Sequence, residues 1–242
     1  MNIIMAKSLL LVFIVLQAAP ADRVIGLLRL PEVWGPDTCV PYRPIPITVR
    51  ASATPNAQRI ATIEVVKPMQ VQADGGCTSP VVRVKHANNK DGEPPSEEIG
   101  YEVPASLVYE RSGRWYRIAL DEGSGWIQID DPERFISYEN LVVGDERLPY
   151  VSEIFDGRLF SAADRSASAV QLPKEWTRLL GKPLPYVKVL SSQTRNGELW
   201  FHIRLTAENA CTDVPADLPK VEGWIPAYAS TKRIVWFYSR GC

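Results

Sequence analysis

Leu199-Trp200-Phe201-His202-Ile203-Arg204-Leu205, followed further on by Gly223-Trp224-Ile225, decides the fold, because the chain has already used the same order once. The earlier copy reads Arg114-Trp115-Tyr116-Arg117-Ile118-Ala119-Leu120 and then Gly125-Trp126-Ile127. Alternation in each copy is that of a half-buried strand: Tyr116, Ile118 and Leu120 fall on one face, as do Phe201, Ile203 and Leu205. These six side chains are the predicted core. Trp115 and Trp200 then point the other way or cover an end of the sheet.

Working outward, each copy sits in an antiparallel meander. Tyr101 to Tyr109 and Trp115 to Leu120 are strands separated by the hairpin loop Glu110-Arg111-Ser112-Gly113-Arg114, and Asp121 to Gly125 is the next turn. In the second half Tyr186 to Leu190 alternates, Asn196-Gly197 is a strong hairpin signal, and a last hairpin turns through Ser230 to Arg233 into Ile234 to Tyr238. Upstream, Arg50-Ala51-Ser52-Ala53-Thr54-Pro55 has a looser counterpart in Phe160-Ser161-Ala162-Ala163-Asp164-Arg165. Unequal offsets between matched segments mean that loops differ while strands keep their order. The chain is an all-β duplication of one supersecondary unit. The best helical candidate is Lys174 to Leu180, two turns at most.

The N-terminus carries an export reading. Lys7 precedes an apolar run from Leu9 to Leu16, and Gln17-Ala18-Ala19-Pro20-Ala21 supplies small residues, placing signal cleavage between Ala21 and Asp22. The run is shorter than the roughly 20 apolar residues a spanning helix needs, so no stable membrane insertion is expected. An exported chain with four cysteines, Cys39, Cys77, Cys211 and Cys242, is expected to form disulfides. Of the three connectivities, pairing within each half, Cys39–Cys77 and Cys211–Cys242, is the simplest.

Chemistry is scarce. The formal net charge of the 242-residue chain is −1 at pH 7, which gives nucleic acid no basic face to bind. Neither a CxxC pair, a Gly-x-Ser-x-Gly elbow nor a glycine-rich phosphate loop occurs in the sequence. His86 opens the loop Asn88 to Gly92 and reads as solvated; His202 lies in a strand facing away from the core. The carboxylate pairs Asp130-Asp131 and Glu97-Glu98 read as solvated turn residues. No catalytic residue, metal site or cofactor is predicted, and the chain is not expected to be an enzyme.

Aromatic side chains are the binding candidates. A half-exposed indole makes a ligand platform, but Trp115 and Trp200 read more readily as plugs that pack under a loop. Trp126 and Trp224 each follow a glycine, which permits a bulge or close backbone approach. Tyr228, Trp236 and Tyr238 near the last hairpin form a candidate groove, with Phe135, Tyr109 and Tyr138 as first-half analogues. The seam between the halves is the other place to look.

A small-residue turn, a Trp-aromatic-x-Ile strand and then Gly-Trp-Ile resembles bacterial Src-homology-3-like (SH3-like) domains. The ending Gly223-Trp224-Ile225-Pro226-Ala227-Tyr228 and Trp236-Phe237-Tyr238-Ser239-Arg240-Gly241-Cys242 strengthens the likeness. The resemblance implies two tandem small β-barrels after the signal peptide. The expected division is 1–21 signal peptide, 22–46 N-terminal extension, 47–143 first domain, 144–158 linker and 159–242 second domain. It also implies a periplasmic or secreted binding module for cell-wall peptide, peptidoglycan or an envelope protein. The competing expectation is an interaction or inhibitor scaffold for a secreted enzyme or secretion machinery. In that case the long stretch from Gly75 to Glu98 is the contact element.

Overall fold

The computed structural model describes residues 23–35, 40, 42–70, 72–73, 76–100, 103–144, 147–181, 183, 187–206 and 218–239. The signal segment with Ala21 and Asp22, and three of the four cysteines (Cys39, Cys211 and Cys242), lie outside the described residues. Cys77 is held in a disulfide.

The chain is predominantly β. Its first half runs β1 (Gly26–Leu28), α1 (Pro31–Trp34), β2 (Ile47–Arg50), β3 (Arg59–Lys67), β4 (Val81–His86), β5 (Asp91–Gly92), β6 (Ser96–Gly100), β7 (Val103–Ser112), β8 (Trp115–Ala119) and β9 (Ser124–Gln128). A 3-10 turn (Pro132–Arg134), β10 (Phe135–Ser137) and α2 (Tyr138–Val142) complete it. The second half runs β11 (Leu148–Val151), β12 (Leu159–Phe160), β13 (Ala169–Val170), α3 (Lys174–Thr177), β14 (Val187–Arg195), β15 (Glu198–Leu205), β16 (Val221–Pro226), β17 (Tyr228–Ala229), β18 (Lys232–Arg233) and β19 (Val235–Tyr238). No helix among the described residues is long and apolar enough to cross a membrane.

Strand order repeats. Within the large sheet β7-β8-β9-β2-β3 are neighbours in that order, and the second sheet reads β14-β15-β16-β12-β13. The match extends to register: Arg117 faces Trp126 as His202 faces Trp224, and Tyr116 faces Ile127 as Phe201 faces Ile225. Even the irregularity recurs. A bulge falls between Val108 and Glu110 on β7, and between Val189 and Ser191 on β14, opposite equivalent residues of β8 and β15. Arg50 then meets Trp126, and Phe160 meets Trp224.

The turn after β2 is repeated bond for bond after β12. Ala51 N–H donates to Gln58 O, Thr54 to Ser52 and Ala57 to Thr54, at 2.9, 2.8 and 3.2 Å. Their counterparts are Ser161 to Ser168, Asp164 to Ala162 and Ala167 to Asp164, at 2.9, 2.7 and 3.0 Å. In the second turn the Asp164 carboxylate also accepts from Ser166 N–H and Oγ–H, at 2.8 and 2.7 Å, which holds its pKa below the usual carboxylate range.

Residues 22–46 and 144–158, read from sequence as an extension and a linker, both supply strands. β1 pairs with β7 and β10, and β11 pairs with β19. They occupy matching places ahead of the repeated turn. Among the described residues only the first half carries strands such as β4 to β6 between β3 and β7, and here the charged pair Glu97-Glu98 lies in β6 rather than in a turn. Among the described residues neither large sheet closes on itself: β10 and β5 end one, β13 and β14 the other.

Burial follows alternation. Tyr116, Ile118 and Leu120 are buried with Leu28, Val49 and Ile127 in the first core. Phe201, Ile203 and Leu205 belong to a larger core that also contains Leu27, Ala105, Tyr138 and Leu141 from the first half. Adjacent residues of β1 therefore serve different cores, as strand geometry requires. α3 is a single turn that buries Trp176 completely, its indole N–H donating to Pro219 O at 2.7 Å.

Candidate ligand cleft

A cleft of about 310 Å³ opens in the first half beside the repeated turn. Its walls are Ile47, Thr48 and Arg50 of β2, Pro55 of the turn, Trp115 of β8 and Gln128 of β9 with Ile129 after it. Glu32 of α1 and Pro46 complete the lining. Trp115 and Gln128 are opposite each other in register, so the sheet itself sets them side by side. The Arg50 guanidinium donates to Ala57 O at 2.8 Å and braces the turn.

Glu32 reaches the cleft because Pro31 starts a four-residue helix just ahead of it. One carboxylate oxygen accepts from Arg134, in the 3-10 turn after β9. Arg134 is shared with Asp131, Nε to carboxylate at 3.4 Å. Burial lowers the Arg134 pKa, but the bond and charge of Glu32, with Asp131, outweigh this and hold it above its ordinary value. The second Glu32 oxygen, Oε2, is closed off from water and has no hydrogen-bond partner. An unmade bond at a buried charged acceptor is costly, on the order of 1–3 kcal/mol or more.

The second half has the equivalent hollow, and it is nearly filled. About 110 Å³ remains, bounded by Arg158, Phe160, Arg165, Pro226 and Tyr228 among others. Phe160 stands where the first half has Arg50, and meets Trp200 edge-on with centroids 5.5 Å apart. Arg165 stands where the first half has Pro55. It lies over the Trp200 ring at 5.9 Å and is clamped by Glu198 at 2.6 and 3.2 Å. Trp200 is consequently 1% exposed against 8% for Trp115. The repeat carries one roomy cleft and one narrowed one.

No family model, curated protein or solved structure matches the chain.

The remaining aromatic candidates lie elsewhere. Tyr138, Tyr228 and Trp236 meet at the seam, with Tyr138 centroids 5.3 and 5.6 Å from the other two. All three are buried, so they weld the halves instead of lining an open groove. Arg233 stacks on Trp236 at 3.6 Å and pairs with Glu97 at 3.2 Å. Tyr238 is half-buried against Tyr150, 4.7 Å away, and Tyr109 is half-buried under the Arg117 guanidinium. Trp126 and Trp224 lie half-buried on the outer faces of the sheets, the latter stacked on His202 at 5.0 Å.

His86, expected to be solvated, is instead mostly covered and bonds Asp121 at 2.7 Å. The β4–β5 hairpin presses onto the turn after β8: a Cβ on Gly92 would fall 1.7 Å from Asp121 Oδ2. Sequence reasoning missed Glu32, Arg50 and Gln128 altogether. The Leu30-Pro31-Glu32 start was the available signal, since proline followed by an acidic residue opens helices.

Proposed function

We propose that the chain is a non-catalytic, exported binding module built from two Src-homology-3-like units, recognising cell-wall peptide or peptidoglycan, or an envelope protein. The observation that carries this reading is the open cleft at Trp115, beside a repeated turn whose second copy is narrowed by Phe160 and Arg165. Its lining mixes an indole and two prolines with a few hydrogen-bonding side chains, as ligand sites do.

The scaffold reading rests on the stretch from Gly75 to Glu98, the greater part of the insert that carries β4 to β6. That insert is already engaged: Glu97 binds Arg233, Glu98 accepts from Ser239 at 3.3 Å, and Ile99 O accepts from Arg147 at 3.4 Å. An element committed to the chain's own second half is poorly placed to capture another protein, which favours the cleft. Disulfides Cys39–Cys77 and Cys211–Cys242 belong to the same proposal, and mass spectrometry of the non-reduced protein reads them out.

The direct test is co-sedimentation of the purified mature chain with insoluble cell-wall sacculi at physiological salt. Retention that is lost on Trp115→Ala supports wall recognition through the cleft. Absence of retention removes the wall as target.

A further inference from the structure

We propose that the second copy of the cleft is a closed receptor for an arginine-type guanidinium group carried on a peptide, with the chain's own Arg165 as its present occupant. This goes beyond the reading built on the Trp115 cleft and does not depend on it.

The closure begins in the strands. In the first half the β7–β8 hairpin turns directly at Trp115, which faces Ser112 in the last pair before the turn. In the second half Trp200 faces Gln193, and two further pairs follow before the turn, Thr194 with Leu199 and Arg195 with Glu198. The β14–β15 hairpin therefore projects past its tryptophan, and the extra length carries one charge of each sign. The repeated turn meets it with Asp164 and Arg165, where the first half has Thr54 and Pro55. These charges pair crosswise, Arg195 with Asp164 at 2.7 Å and Arg165 with Glu198 at 2.6 Å. The result is a strap across Trp200. Residues 51–57, the first copy of the turn, include no charged side chain with which to build one.

The contacts of Arg165 are those of a bound ligand. Its guanidinium lies over the Trp200 ring at 5.9 Å. Nε donates to Glu198 Oε2 at 3.2 Å and Nη2 to Oε1 at 2.6 Å. A planar fork matches a carboxylate at two points, which the compact ammonium of lysine does not reproduce. The exchange also keeps the charges balanced. An incoming guanidinium replaces that of Arg165 on Glu198, while Arg195 stays on Asp164. Arg158, the other cation of the hollow, has Asp156 at 3.8 Å.

The occupant is placed to leave. The Arg165 side chain is 60% exposed, against 28% for that of Glu198 and 1% for Trp200. Exposed ion pairs are weakly held, and the backbone bonds that shape the turn do not use the Arg165 side chain. Swinging this one surface side chain outward uncovers the Trp200 ring and joins it to the remaining hollow of about 110 Å³. Phe160, Pro226 and Tyr228 there offer an apolar neighbour of the incoming arginine a surface to pack on.

The test uses the full mature chain and two probes, Nα-acetyl-arginine methylamide and Nα-acetyl-lysine methylamide, with NMR at the Trp200 indole N–H. Arg165→Ala is expected to bind the arginine probe saturably and in preference to the lysine probe. The unaltered chain should bind it at least about fivefold more weakly, the equivalent of one exposed ion pair to be displaced. Adding Glu198→Gln to Arg165→Ala should remove the preference between probes. Arg165→Lys, which keeps the charge and loses the fork, guards against a turn disturbed by alanine, and should bind the arginine probe more tightly than the unaltered chain. Equal response of Arg165→Ala to the two probes overturns the receptor. So does an arginine-probe affinity that neither variant raises above that of the unaltered chain.

Discussion

Tyr138 shows how far a single residue's role depends on chain that comes much later. Its hydroxyl donates to Val235 O, 97 residues further on, with Ala227 O at 3.3 Å. Nothing local to Ser137-Tyr138-Glu139 announces this, so an aromatic beside a turn reads as a ligand ring. Burial raises the Tyr138 pKa well above its ordinary value, and burial also pushes Tyr228 up. The consequence for stability has a definite sign. Above about pH 10 the unfolded chain releases these protons and the folded chain keeps them, so unfolding becomes favoured as pH rises. The stabilisation is complete below that pH and is lost above it. Urea midpoints measured from pH 8 to pH 11.5 should fall along the alkaline limb, and a Tyr138→Phe, Tyr228→Phe double variant should flatten it. Tyr138→Phe alone should cost about 1–3 kcal/mol at pH 7, because Val235 O loses its hydroxyl donor inside the core. An unchanged midpoint there would mean that the bond contributes nothing.

The elements that alternate cleanly, β4, β8 and β15, were legible from sequence, and so were the turns at Gly113 and Asn196-Gly197. Asn196 and Gly197 have φ of 51° and 74°, the left-handed pair that a two-residue hairpin demands. Other elements were not legible for physical reasons. β1 has three residues and β11 contains Pro149, too little pattern for a period of two to register. β6 carries Ser96-Glu97-Glu98, a polar face whose partners Arg233 and Ser239 lie in the other half.

Of the two readings left open for the glycine before Trp126 and Trp224, a bulge or a close approach, the register shows no bulge and the space at each glycine is tight. A Cβ on Gly125 would fall 2.3 Å from Val49 Cγ1, and one on Gly223 would fall 2.9 Å from Leu159 Cβ and 3.1 Å from Phe160 O. Gly125→Ala and Gly223→Ala are each expected to lose about 1–3 kcal/mol, the range for forcing extra atoms into a packed site. Paired urea titrations check both. A neutral substitution at either would show that β2 or β12 can retreat, and that the sheets are looser than this register implies.

At the scale of the whole molecule, the strands repeat in order while the apolar surface is shared between the halves. Val24, Leu27, Tyr138 and Leu141 from the first half pack in one core with Phe201, Ile225, Tyr228 and Trp236 from the second. Tyr228 Oη donates to Val24 O at 2.6 Å, and Arg23 donates to Ser230 O at 2.8 Å. The first half also has a core of its own, to which Leu28 belongs. β1 is thus the strand that ties the two cores, with Leu27 turned to one and Leu28 to the other. A shared core means that neither half can open without exposing the other's apolar face, and this predicts one cooperative transition. Tryptophan fluorescence and far-UV circular dichroism should trace the same urea curve under non-reducing conditions. Leu27→Ala, which removes a fully buried side chain at the seam, should lower the stability by about 2–5 kcal/mol and shift that single curve without splitting it. If Leu27→Ala instead separates the two signals into distinct transitions, the halves hold themselves up independently, and β1 belongs to the first alone.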